Sequence, residues 1–408
     1  MKTHLEGLTF ADGDDGATPA ASQSSQESSF DVPLPEEAAV ISELRQSVQT
    51  TKQDFKKGLN KIQSLYYKID LEPLFACDIG NVLRSFQPVS PQFLLDAINE
   101  LHNTGRRDDL SLLLKVGADM DGFAENRRTA LMQAVVVGSL EAVRMLVDAG
   151  ASLEVPNFKG LRALHIACHR QEPQTVRFLV DRGADVNAET EFGERPLHIT
   201  AEGQPELAAF LLTHGAEVDA KHAAGCTALV HAAFAGCRDS AALLLDRGAR
   251  VDETDNEGTT PLFATTFTFK GTLIDSIQVA ELLISRGADV HARAFNGRTI
   301  LQNAALSGAA NVAGLLVNEG VDVHATDNQG STALHFAAHF DDDEDADQSI
   351  EAQQKKVQIA QMLIHRGIDV HAVDERGKTA AEIAEADQPA ESPVGAFFAD
   401  LPVADPEQ

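Results

Sequence analysis

Four sets of side chains in this chain have types and spacings that invite chemistry. His165, Cys168 and His169 fall within five residues, and Cys226, His231 and Cys237 within twelve, mixing the thiolates and imidazoles that hold zinc. A zinc site needs four converging ligands, usually in close pairs, and neither set completes one, so no metal ligand is assigned. Gly377-Lys378-Thr379 ends like a phosphate-cradling loop, but Ala372 stands where the opening glycine belongs. Asp341-Asp342-Asp343-Glu344-Asp345-Ala346-Asp347 gathers six carboxylates without the alternating ligands, central Gly and terminal Glu of a calcium loop. Such a run repels itself and reads as a solvated segment. G-x-S-x-G, H-E-x-x-H and a strand-linked G-x-G-x-x-G are all missing from the sequence. No catalytic residue and no cofactor are expected.

The elements that would position these groups are written as a repeat. Gly117, Gly150, Gly183, Gly215, Gly248, Gly287, Gly320 and Gly367 each follow a leucine by four residues: Leu113, Leu146, Leu179, Leu211, Leu244, Leu283, Leu316 and Leu363. A unit of roughly 33 residues with an apolar residue and a turn glycine in fixed columns predicts stacked helical hairpins. Thr129, Thr227, Thr260, Thr299, Thr332 and Thr379 open a first helix as N-caps, and Pro261 fits the first turn after Thr260. Pro173 and Pro205 start second helices, which end at the glycine. Each pair has apolar residues on more than one side, as in Leu140, Val143, Leu146 and Val147, and needs its neighbours to cover them.

These units resemble the ankyrin repeat. Arg162-Ala163-Leu164-His165-Ile166-Ala167-Cys168, Arg195-Pro196-Leu197-His198 and Thr332-Ala333-Leu334-His335-Phe336-Ala337-Ala338 are similar to its T-P-L-H-x-A-A signature. Gly183 to Ala188, Gly287 to Ala292 and Gly367 to Ala372 are similar to its closing segment. The resemblance implies an all-α solenoid of helix-turn-helix units with β-turn fingers at the junctions and a concave face that grips other proteins. It further implies that His165, His198 and His335 hydrogen-bond between finger and helix, and that Cys168 fills a small core position. The departures are Arg162 and Arg195 in the capping column, a third repeat one residue short, and longer spacings before Gly287 and Gly367.

Composition assigns the remaining segments. Residues 1–35 are rich in Ser, Gln, Asp, Gly and Pro and read as a disordered leader. In 36–70, Ile41, Val48, Phe55, Ile62 and Ile69 recur every seven residues, joined by Leu44 and Leu65, predicting an amphipathic helix. Thr51 and Gly58 spoil its second seam, which favours packing on the first repeat, with weak self-association through a coiled coil as the alternative. Residues 71–89 read as a connector, 90–388 as repeats with insertions near 265–276 and 341–354, and 389–408 as a C-terminal cap and tail. The net charge of -29 disfavours direct contact with nucleic acid or an anionic membrane. Four scattered cysteines do not form a disulfide framework, and no run of about 18 apolar residues is present, so a cytoplasmic and/or nuclear protein is expected.

Function then reduces to which surface binds. Phe158, Phe192 and Phe295 fall where the fingers should project, with Phe234 near the end of a first helix, and are candidate anchors for a partner protein. Arg128, Lys159, Arg162 and Arg195 belong to adjacent fingers or helix starts, a basic cluster suited to an acidic or phosphorylated segment unless Glu125, Glu191 and Glu194 pair with it. Phe267 and Phe269 alternate with threonines in the first insertion, a β-like pattern that could lean over the concave face. The leading reading is a non-enzymatic scaffold or adaptor. Its alternatives are an enzyme or accessory subunit with a pocket roofed by the insertions, and a nuclear transcriptional co-regulator acting through protein contacts.

Overall fold

A computed structural model describes residues 90–401 apart from 116, 125–126, 270–271, 274–275, 340–348 and 389–391. The leader, the amphipathic helix of 36–70 with its self-association, the connector of 71–89 and the acidic run 341–347 lie outside the described residues. The chain divides into two compact units, Met1–Ser152 and Leu153–Gln408.

In the first unit, α1 (Pro91–Thr104) and α2 (Asp108–Lys115) form one hairpin, and α3 (Ala130–Val136) and α4 (Leu140–Asp148) the next. Thr129 caps α3 by accepting from the Met132 N–H at 3.3 Å, and Ser139 caps α4 from Ala142 at 3.3 Å. Leu94, Ile98, Leu110, Leu131, Val143 and Leu146 are buried between the pairs.

The second unit opens with five hairpins. They are α5 (Ala163–His169) with α6 (Pro173–Asp181), α7 (Pro196–Ala201) with α8 (Pro205–Thr213), α9 (Ala228–Phe234) with α10 (Arg238–Asp246), α11 (Pro261–Ala264) with α12 (Ile277–Ser285), and α13 (Ile300–Ser307) with α14 (Ala310–Asn318). After them come α15 (Ala333–Ala338), α16 (Ile350–His365), α17 (Ala380–Asp387) and α18 (Pro393–Ala399). First helices pack on first helices and second on second along the unit, so each leucine before the turn glycine is sealed by the neighbouring pair. Burial of such a leucine contributes roughly 1.5–3 kcal/mol. Phe398 of α18 is buried against the last helices, closing the stack's apolar end.

Two local departures have local causes. α11 is only four residues long because the Thr265 and Thr266 hydroxyls turn back onto the carbonyls of Leu262 and Phe263, both at 2.7 Å, and compete with the helix. The alternating Thr/Phe segment behind it forms an antiparallel pair, β1 (Thr268–Phe269) with β2 (Thr272–Leu273). In the longer spacing before Gly367, the second helix α16 grows to 16 residues, starting where Ser349 accepts from Ala352 at 3.1 Å.

The expected β-turn fingers are corrected. Among the described residues the junctions carry no β-strand, and β1–β2 lies inside an insertion rather than at a junction. Each junction is a tight loop closed by its own side chains: Asn157 Oδ1 accepts from Lys159 and Leu161, and Asp255 Oδ1 from Glu257 and Thr259, all at 2.9 Å. A side-chain acceptor that takes alternate backbone N–H groups of the loop competes with strand pairing there. One backbone bond closes each loop, as from the Asn157 N–H to the Leu161 carbonyl (2.9 Å), and pairing goes no further among the described residues than the isolated bridges Arg293 to Thr299 and Val373 to Thr379.

Candidate functional site

The loop tips of the second unit are tied in a row by single backbone hydrogen bonds. Glu191 N–H donates to the Lys159 carbonyl (3.0 Å), Ala223 to Phe192 (2.8 Å) and Asn256 to Ala224 (3.0 Å). Phe295 then donates to Glu257 (2.9 Å), Asn328 to Asn296 (3.1 Å) and Glu375 to Gln329 (2.9 Å). The tip after each of these pairs is a left-handed glycine, and at Gly160 a Cβ would come within 2.3 Å of the Glu191 nitrogen. The rungs therefore hold the tips in fixed register and leave the side chains between them as the variable surface.

A second set of bonds anchors the loops to the helices. His165 accepts from the Arg162 N–H through Nδ1 (3.2 Å), and its Nε2 meets the Ala188 carbonyl (2.9 Å). With one nitrogen an acceptor and the other a donor, the ring is neutral, and burial holds its pKa down at about 4. His198 repeats this with Arg195 and Ala220, and His335 with Thr332 and Lys378. In the same column Gln302 reproduces the pattern without an imidazole, accepting from Thr299 (2.7 Å) and donating to Ala325 (2.9 Å) and Ser331 (2.7 Å). Val230 and Phe263, also in that column, are buried apolar side chains. The thiols beside these histidines are core groups: Cys168 and Cys226 are buried, and burial raises the Cys226 pKa to about 12. Among the described residues no group of three or more His, Cys, Asp or Glu side chains is placed to hold a metal ion.

The candidate anchors separate by exposure. Phe158 is 60 % exposed and Phe295 73 %, the Phe295 ring lying against Gly258 of the preceding tip, while Phe192 is half-buried. Phe234 is only 8 % exposed, its ring centroid 6.3 Å from that of the half-buried Phe267, so it belongs to the packing between first helices and not to the open surface. Phe269 lies in β1, and its side chain falls outside what is described. Sequence reasoning passed over Phe123, 50 % exposed in the first unit, because it precedes the tip column.

The basic residues are drawn into pairs, but with acids other than those expected. Arg162 bonds the Glu189 carbonyl (2.8 Å) and pairs with Glu154 (3.0 Å). Arg195 pairs with Glu189 (2.8 Å) and Glu217 (2.5 Å), bridging from its own loop to the next. Replacing the capping threonine by arginine thus exchanges a cap for a tie between repeats. Lys159 is half-buried with its ammonium 6.0 Å from the Phe158 ring centroid, and Arg128, in the first unit, reaches Gln133 at 3.3 Å. Glu194 is buried and Glu125 lies outside the described residues. Paired and partly exposed guanidinium groups contribute little net energy, and they fix loop geometry.

Comparison with known proteins agrees with this architecture. The family model described as ankyrin repeats (3 copies) matches residues 95–190, 154–222, 186–255 and 270–374. The chain is 43 % identical over 49 residues to Notch-regulated ankyrin repeat-containing protein A of Danio rerio, covering 12 % of this chain and 44 % of that protein. It is 41 % identical over 51 residues to the Notch-regulated ankyrin repeat-containing protein of Xenopus tropicalis, covering 12 % and 45 %, and 43 % identical over 49 residues to that of Homo sapiens, covering 12 % and 43 %. The chain thus spans less than half the length of these curated relatives. Among the described residues no helix is long and apolar enough to cross a membrane. With the family model matching more than half of its length, the chain belongs to the ankyrin-repeat family, whose stacked repeats act as non-catalytic scaffolds for contacts between proteins.

Proposed function

We propose that this chain is a scaffold or adaptor that binds a partner protein across its loop tips and the adjoining face of the first helices. The observation that carries this reading is the exposure of Phe158 and Phe295 on tips whose backbones are already locked by the rungs to Glu191 and from Glu257. An exposed aromatic ring on a rigid support offers apolar area at a small entropic cost of ordering, which is what an interface anchor requires. Phe192 and Lys159, half-buried on the same row of tips, would complete the contact, and an interface of ordinary size buries roughly 800 Å² on each side.

Proximity labelling followed by cross-linking of the captured protein identifies the partner and the face it covers. Phe158→Ala and Phe295→Ala should each leave the melting temperature nearly unchanged and weaken partner affinity by at least about 1 kcal/mol, the effect of truncating an anchor. A partner cross-linked only to the second helices, with affinity untouched by both substitutions, would remove the tips from the binding surface.

A further inference from the structure

Between α7 and α9 the structure gathers titratable side chains that the binding surface does not use. His198, His222 and His231 form a triangle of imidazoles with ring centroids 5.5, 5.3 and 5.2 Å apart. Their nitrogens are not equivalent. His198 spends one on the Arg195 N–H (3.1 Å) and the other on the carbonyls of Ala220 (3.0 Å) and Cys226 (3.2 Å), and stays neutral. His222 accepts from the Ala224 N–H (3.0 Å). His231, 3 % exposed, gives Nδ1 to Glu202 at 3.2 Å, while its Nε2 has no hydrogen-bond partner among the described residues. Glu194, 5 % exposed, acts on this pair, and its Oε2 also lacks a partner among the described residues.

Every element packed around Glu194 brings a group to this site. Arg195 follows it in the loop but is held by Glu189 and Glu217. α5 brings His165, which contacts the Glu194 backbone; α7 brings His198, with Glu202 at its end; the next tip brings His222 and α9 brings His231. The arrangement balances charge only once: protonated His231 with ionised Glu202 leaves no counter-charge for an ionised Glu194. Glu194 Oε2 and His231 Nε2, both without a hydrogen-bond partner among the described residues, each forfeit a hydrogen bond to water on folding.

We propose that Glu194, with the His231–Glu202 pair, is a proton-linked switch: protonated, it lets the α7–α9 junction close around one balanced ion pair; ionised, it adds an uncompensated buried charge that loosens that junction. Burial pushes the Glu194 carboxyl up to about 7, with His231 opposing and Glu202 reinforcing the rise. Burial opposes charge on His231 too, but the bond to Glu202 and the charges of Glu202 and Glu194 outweigh it and raise its pKa. The sign follows. A folded-state value above the ordinary 4.5 gives stability that is complete below 4.5 and is lost as pH rises through about 7. Between about pH 6 and pH 8 this one group lowers the folding equilibrium constant about tenfold. His165 and His198, whose values are depressed, act in the opposite direction, so the switch shows as a difference between proteins.

Glu194→Gln keeps the shape and cannot ionise. Urea unfolding of the full chain should give a wild-type to variant ratio of folding constants that falls about tenfold from pH 6 to pH 8, with amide exchange in α7 and α9 faster in the wild type at pH 8. A ratio constant across that range overturns the proposal. Side-chain carboxyl NMR of the wild type reads the same proton without any substitution: a midpoint near neutrality supports the switch, and one in the ordinary carboxylate range overturns it.

Discussion

Glu154, Asn187, Asp219 and Asp252 stand four residues after a turn glycine, and so do His291, His324 and His371 in the later repeats. The early four reach across the junction: they accept the backbone N–H of Asp185 (2.9 Å), Glu217 (2.9 Å), Arg250 (3.1 Å) and Asp289 (3.1 Å) respectively. The later three are exposed, and their own N–H groups bond back to Asp289, Asp322 and Asp369 at 2.8–2.9 Å. The same backbone column therefore latches successive repeats in one region and not in the other. A short carboxylate or carboxamide can aim an sp² oxygen at an N–H a repeat away, and a charged one strengthens the bond. The later junctions lack this particular latch and rest on the tip rungs, on Gln302 and His335, on guanidinium ties such as Arg293 to the Thr326 carbonyl (2.7 Å) and Arg366 to Asn318 (2.9 Å), and on packing. Stacking sets the core, and side-chain chemistry sets how firmly each junction is shut.

Because the cores of the two regions are alike, their largest responses should be alike. Leu244→Ala and Leu363→Ala, both at fully buried positions, should each lose about 2–5 kcal/mol in urea unfolding. A much smaller loss at Leu363 would show that packing, and not latching, distinguishes the regions. The next effect separates two glycines of equal conformation. Gly160 and Gly377 have φ +75 and +74, but a Cβ at Gly160 meets the next tip whereas at Gly377 it meets nothing within 4 Å. Gly377→Ala should cost about 1–2 kcal/mol from the left-handed backbone alone, and Gly160→Ala a further 1–3 kcal/mol or so from the forced contact; equal thermal shifts would mean that the tip row yields freely.

The histidine and glutamine in one column give a pH test. The depressed value of His165 means that its stability contribution is present above the ordinary 6.5 and is lost as pH falls toward about 4. Since Gln302 makes the same bonds with nothing to titrate, His165→Gln should match the wild type at pH 7 and be more stable at pH 5 by about 2 kcal/mol, as denaturant midpoints at the two pH values would show. The smallest effect is the latch itself. Asp252→Ala should cost about 1 kcal/mol and speed amide exchange at Asp289, while His324→Asp, which supplies a carboxylate to an unlatched junction, should gain no more than that. Exchange that is already slower in the later repeats of the wild type would invert the comparison.

Much of the repeat was legible in the chain because its signals are local. A glycine that must take positive φ, a leucine four residues before it and a capping threonine each act within a single turn, and the structure uses them as read at Thr129, Thr260, Thr299 and Thr379, whose hydroxyls accept from the third residue on. The candidate site was legible only in part. Phe158 and Phe234 are the same residue type, yet one is open and the other is packed beside Phe267, because a tip has one neighbour on the row and a helix end has several. Glu194 read as a surface ion-pair partner, and His231 fell in a His/Cys set to which no role was assigned; their shared interior exists only once α7 and α9 come together. The β-turn fingers failed for a related reason: whether a loop pairs as strands depends on which acceptors reach its N–H groups, and Asn157 and Asp255 reach them first.

The amino-acid sequence alone determined that this chain is a stack of helical hairpins, where the regular ones are capped and turned, and that the residues at their centres are core, since dihedral preference and apolar spacing are properties of a few adjacent residues. Only the tertiary structure decided which tips face solvent, which acids the arginines meet, which junctions are latched and where a carboxylate is buried beside an ion pair. Those outcomes depend on register between segments about 33 residues apart, and register is set by the sum of many weak contacts that no single segment contains.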